Sequence, residues 1–160
     1  MKTLILKNNY LVGNLELGIS SLNQWFSKQM LHGEASINRT RFVKSLSERS
    51  LEISETRRKI TEDNTVKKTV KGKEVLVYVD KEGKDVLDKK DAVNFKIKDI
   101  EKWNNEINDY LEGDYKIDVT PASADMIYGA RDILLNSSED VAGIEAIRYE
   151  EWCTAFQGIK

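Results

Sequence analysis

Cysteine, proline and histidine are nearly absent: Cys153, Pro121 and His32 are the sole representatives of their types among 160 residues. One cysteine excludes an intramolecular disulfide framework and fits a reducing compartment. One proline excludes long Pro-rich linkers, and neither an internal repeat nor a low-complexity tract is present. Net charge is nearly absent too, at -2. That balance speaks against a nucleic-acid coat and equally against an acidic DNA mimic. No apolar run approaches bilayer length. The amino end, MKTLILKNNYLVGNLELG, is interrupted by Asn8 and Asn9 and has no small-residue cleavage site, so it is not expected to act as a signal peptide.

A charged fraction of 32% beside 40% hydrophobic residues describes a water-facing globular chain, long enough for one domain over residues 1–160 with a real core. Its organising stretch is Arg39–Glu62. Phe42, Val43, Leu46, Ile53 and Ile60 recur there at spacings of three, four and seven, with no Gly or Pro, which predicts a helix with one narrow buried stripe. So thin a seam needs other segments laid along it. Ser36, with Asn38 as rival, is the expected cap. Arg39, Arg41 and Lys44 then fall in the first turns against the helix macrodipole. They are either offset by Glu34 or kept for an acidic partner. Lys44 with Glu48, Glu55 with Lys59 and Arg58 with Glu62 are four apart and predict ion pairs on a solvated face.

Leu4–Leu6 predicts a short strand, and Leu11, Leu15, Ile19, Leu22 and Phe26 keep a helical period from about Tyr10, closed by His32-Gly33. Beyond Asp63-Asn64 the period changes. Val66 to Val70, Glu74–Val79 and Lys84–Leu87 are β-favouring, and Asp80-Lys81-Glu82-Gly83 predicts a type I turn with the glycine left-handed. In EVLVYV, Val75, Val77 and Val79 point one way and Leu76 and Tyr78 the other. One side is expected to cover the helices and the other to meet a partner. The lysines around this ribbon alternate with acids, so nucleic-acid binding is disfavoured. Ile97–Leu111 predicts a helix antiparallel to the central one, 115–119 a strand pairing with Leu4–Leu6, Thr120-Pro121 the start of a helix over Ala122–Leu135, and Asn136-Ser137-Ser138 the cap of a last helix to Phe156.

The predicted fold is therefore α+β and mostly helical. A long antiparallel helical hairpin carries a β-ribbon inserted over 66–91, and the N-terminal strand pairs with 115–119. His32 has no Ser, Cys or ligand pattern around it, and Cys153 follows Trp152 on an apolar face as a packing residue. Trp25, Trp103 and Trp152 are expected to anchor the core. Gly72 and Gly83 belong to turns and not to a phosphate loop. No catalytic residue, cofactor or metal site is expected.

The features Arg39-Thr40-Arg41-Phe42, Asp80 to Gly83, Ile117-Asp118-Val119, Asp132-Ile133-Leu134-Leu135 and Gly143 to Trp152-Cys153, taken in order, resemble an uncharacterised family of small proteins encoded by phages and prophages of Gram-positive bacteria. The resemblance implies a late or accessory phage product, working in the host cytoplasm or incorporated in the virion, without an enzymatic activity to carry over. The expected function is contact with a protein partner in virion or tail assembly. The alternative is inhibition of a host defence or housekeeping enzyme. Arg39, Arg41, Lys44, Leu76 and Tyr78 are the expected contact residues. The partner's identity, the oligomeric state and the ribbon's orientation are left open.

Overall fold

The computed structural model describes residues 2–14 and 16–159; Leu15, one of the expected helical positions, lies outside the described residues. The fold is α+β, with small antiparallel sheets and one long helix. Two compact units account for it: Met1–Glu52 with Leu111–Lys160, and Ile53–Tyr110.

In the first unit, β1 (Thr3–Lys7) pairs antiparallel with β7 (Asp114–Asp118), Leu4 facing Ile117 and Leu6 facing Tyr115. The strand pairing expected from the sequence is thus present. Leu4 and Leu6 are fully buried while Ile5 points outward, as a period of two requires. The helix expected from Tyr10 onward does not form. Residues Asn8–Leu11 make a 3-10 turn instead. Asn14 and Ile19 then exchange backbone hydrogen bonds of 2.7 and 2.9 Å, and the Asn14 side chain accepts from the amides of Glu16 and Leu17. An Asx-type turn has outcompeted the apolar period.

Helix α1 (Leu22–Lys28) starts only afterwards, at a reciprocal capping box between Ser21 and Gln24. It ends at Lys28, so His32-Gly33 is not its stop. The central helix α2 (Gly33–Asp63) begins there, six residues before Arg39. Ser36 and Asn38 consequently lie inside the helix and cap nothing. Glu34 occupies its first turn, where an acid suits the macrodipole.

Helix α4 (Ala124–Leu135) starts later than Thr120-Pro121 suggests, because residues 121–123 form a turn with Ser123 Oγ bonded to the Asp118 carbonyl. Helix α5 (Gly143–Gln157) is preceded by Ala142, not capped by Ser137 or Ser138. Its Trp152 and Phe156 meet Trp25, Phe26 and Phe42 in a cluster of mostly edge-to-face and tilted rings, with centroids 5.0 to 6.4 Å apart. Asn38 packs against Gly129 of α4, where an added Cβ would lie 3.0 Å from the Asn38 Cβ.

In the second unit, the end of α2 is closed by its own side chains. Asn64 donates to the Ile60 carbonyl, Thr65 to the Thr61 carbonyl, and both residues are buried. The chain enters β2 (Lys67–Val70) and returns in β3 (Lys73–Leu76) through Lys71 and Gly72, both with positive φ, the tight hairpin turn that favours glycine. EVLVYV is not one strand. At Val77 the chain changes partner: the Val77 amide donates to Val66 while its carbonyl accepts from Lys96.

Strand β4 (Tyr78–Val79) therefore belongs to a second sheet, between β5 (Asp85–Val86) and β6 (Asn94–Phe95). The Asp80–Gly83 turn does form, with Gly83 left-handed and the Asp80 carboxylate accepting from the amides of Glu82 and Lys84. Helix α3 (Ile100–Leu111) begins three residues later than expected, because Asp99 accepts from the Lys102 amide and fixes the start. It is tied to the end of α2, where Thr65 bridges Ile97, Asn64 donates to the Glu106 carboxylate and Thr61 accepts from the Trp103 indole at 3.1 Å.

Replacing Phe42 by alanine should cost about 3–5 kcal/mol in urea unfolding. Leu51 lies on the same helix but is 67% exposed, so Leu51→Ala should stay within about 0.5 kcal/mol of the parent. Gly129→Ala should cost about 1–3 kcal/mol, since the Asn38 Cβ in its way is no flexible tip.

Candidate functional site

The expected contact residues are divided between the units, Arg39, Arg41 and Lys44 in the first and Leu76 and Tyr78 in the second. Arg39 is half-buried, and its guanidinium donates to the carbonyls of Phe26 and Gln29. It satisfies the end of α1, where a cation suits both the free carbonyls and the dipole. Arg41 and Lys44 are exposed and make no ion pair among the described residues. Of the expected pairs on α2 only Arg58 with Glu62 closes, at 4.0 Å. Leu76 and Tyr78 are half-buried in the second unit, the Tyr78 ring lying 5.1 Å from that of Phe95. The outward side of EVLVYV is thus partly covered by the chain itself.

A different surface stands out in the first unit. Because β1 alternates, Ile5 is turned outward and 46% exposed; on α5, the face away from Trp152 and Phe156 carries Ile147, 59% exposed. These two residues, with Tyr10 and Ala155, floor a groove of about 380 Å³. Asp114, Glu150 and Glu151 stand at its rim with Lys7 and Thr154.

The rim is electrostatically one-sided. Lys7 is held by Glu112, through its carboxylate at 3.4 Å and its carbonyl at 3.0 Å. Arg148 bonds Asn9, pairs with Glu151 at 3.6 Å and lies over the Tyr10 ring. Asp114 and Glu150 have no ion-pair partner among the described residues. Burial, then the Glu151 carboxylate, push the Tyr10 hydroxyl above its ordinary value, with Arg148 acting in the opposite sense. What the groove can do chemically is bury apolar side chains beside a positive charge.

In the second unit, Thr61, Asn94, Phe95, Ile97, Ile100 and Trp103 line an apolar groove of about 290 Å³. Ile100 is 65% exposed at its edge. Trp103, expected as a core anchor, is only half-buried there, whereas Trp25 and Trp152 are buried. The sequence pattern singled out neither Ile5 nor Phe95 as a surface residue, and it puts Ile147 with Trp152 and Phe156 on the packed face of the last helix, from which the structure turns it to solvent. The signal available for Ile5 was strand alternation. None existed for Phe95, which lies in a two-residue strand.

Among the described residues no group of three or more His, Cys, Asp and Glu side chains is placed to hold a metal ion. His32 is exposed. Burial pushes the Cys153 thiol up, so it stays protonated at neutral pH and is a poor nucleophile. Beside it, the Tyr149 hydroxyl donates to the Leu134 carbonyl and ties α5 to the end of α4. No family model, no curated protein and no solved structure matches the chain.

Burial, with the neighbouring Cys153, pushes the Tyr149 hydroxyl from its ordinary 10.0 up to about 12. The neutral hydroxyl therefore favours the folded state fully below pH 10, and that contribution is lost as pH rises from about 10 to about 12. Urea midpoints measured across this window should fall more steeply in the parent than in Tyr149→Phe. Parallel curves would show that Tyr149 carries no such linkage.

Proposed function

We propose that the chain is a non-enzymatic phage protein that works by protein contact, in virion or tail assembly or as a late accessory factor. The observation that carries this reading is the groove of the first unit, where exposed Ile5 and Ile147 lie beside Asp114, Glu150 and Glu151. Large aliphatic side chains gathered on a soluble surface favour association, because covering them removes apolar area from water. Carboxylates around the patch select the partner: a segment whose apolar side chains are flanked by Lys or Arg, with steering that weakens as salt rises. The phage setting rests on the resemblance of Arg39 to Phe42 and of Trp152-Cys153. In this reading Arg39 is a structural tie, while Arg41 and Lys44 remain available on the exposed side of α2.

The experiment is affinity capture of tagged protein from infected cells, run beside the variants Ile5→Asp and Ile147→Asp. Both positions are exposed, so stability should change by no more than about 0.5 kcal/mol. The parent should retain one phage structural protein, also present in purified particles, and each variant should lose at least tenfold of it. Asp114→Asn with Glu150→Gln should weaken capture and flatten its salt dependence. Retention of a host enzyme in place of a phage protein would favour the inhibitory alternative. A parent that stays alone through infection, or capture indifferent to all four substitutions, would overturn the reading.

A further inference from the structure

The β2–β3 hairpin contributes nothing to a core. Every residue from Lys67 to Glu74 is exposed, so both faces of the ribbon stand in water, while its base is fixed by buried Thr65 and Val77. An isolated two-stranded hairpin is marginal by itself, and apart from its backbone ladder this one gains little from neighbours.

Its composition is also lopsided in space. Lys67, Lys68, Lys71 and Lys73 sit on it with Glu74 as the one acid. Along the chain these four lysines form an acid-free run from 67 to 73, ahead of the acids of 80–91, and the acids there are engaged elsewhere. Asp80 folds back on its own turn, Glu82 pairs with Lys84 and Asp85 with Lys96, all on β4, β5, β6 and their connections. None of the four hairpin lysines makes an ion pair among the described residues.

Register decides where the cations point. Lys68 faces Val75 and Val70 faces Lys73 across the ladder, so Lys68 and Lys73 share one face; Lys67, opposite Leu76, lies on the other. Lys71 is at the turn, with φ 50. A flat acidic surface would meet only one of these faces. A groove with phosphates along both walls would meet both. A ribbon of four residues per strand reaches about 13 Å, and a two-stranded ribbon fits the major groove of duplex DNA, about 12 Å wide.

We propose that the β2–β3 hairpin is a binding element for duplex DNA, entering the major groove with Lys67, Lys68, Lys71 and Lys73 on the flanking phosphates. It is independent of the groove on the first unit. Lysine on a free edge also discourages strand pairing between molecules. That role does not call for a cation at the turn.

The test is a titration of a 20-base-pair DNA duplex against the full chain between 50 and 200 mM salt. Four phosphate contacts give a slope of about -3.6 in log affinity against log salt, hence about a 150-fold loss across that range. The variant carrying Lys67→Gln, Lys68→Gln, Lys71→Gln and Lys73→Gln should keep the parent's circular dichroism and unfolding midpoint, since no partner is lost, and its slope should fall close to zero. Restoring any one lysine should return about 0.9 of slope. The proposal is overturned if the duplex is not bound at 50 mM salt or if the quadruple variant binds with the parent's slope. It is overturned equally if polyglutamate is bound in a lysine-dependent way while the duplex is not, which would assign the hairpin to an acidic protein.

Discussion

Interlocked aromatic rings hold the first unit, and nearly everything else there is arranged around them. Phe42 offers one ring from α2; Phe26 meets it at 5.2 Å and Phe156 at 5.7 Å. Trp25 and Trp152 extend the cluster, yet their indole nitrogens are buried without a hydrogen-bond partner. Each orphan N–H costs about 1–3 kcal/mol. Burying an indole removes about 150–250 Å² from water, which at about 25 cal/mol per Å² stabilises by roughly 4–6 kcal/mol. Burial wins, and the unsatisfied donors are tolerated.

The thin seam of α2 explains why this cluster is necessary. Phe42 and Leu46 are fully buried, but Val43 is half-covered and Leu51 lies in solvent. Such a stripe cannot hold a 31-residue helix by propensity alone. Strand β1, helix α1 and helix α5 supply the missing apolar area in the first unit. The end of α2 in the second unit is held mainly by polar closure at Asn64 and Thr65 and by the Trp103 contact to Thr61. With so much of the core drawn from short segments, other apolar side chains of those segments remain outside: Ile5 on β1, Ile147 on α5 and Ile100 on α3.

Much of this was legible from period and cap chemistry. The long uninterrupted helix, the pairing of β1 with β7, the left-handed Gly83 and the core roles of Trp25 and Trp152 follow from the residues themselves. Errors arose where local hydrogen bonding outbid the apolar period. Asn14 and Gly18 built a turn inside an apparently helical stretch, although Ser21-x-x-Gln24 was a readable capping box that would have placed α1 correctly. Other errors were of a kind no linear pattern reveals. The partner change at Val77, which splits a run that reads as one strand, exists only in three dimensions. The two grooves were invisible for the same reason, since each joins residues about thirty or more apart along the chain.

The stability of the first unit resides in its aromatic cluster, which leaves exposed Ile5 and Ile147 and the β2–β3 hairpin free of structural duty. Native-state hydrogen exchange tests it most directly. Amides around Phe26, Phe42 and Phe156 should exchange only when the whole first unit unfolds, and Phe42→Ala should lower their protection together. Amides of 67–74 should exchange orders of magnitude faster, with protection unchanged by Phe42→Ala. Hairpin amides protected as strongly as that of Phe42 would show that the hairpin shares in the stability and that the ring cluster does not carry it.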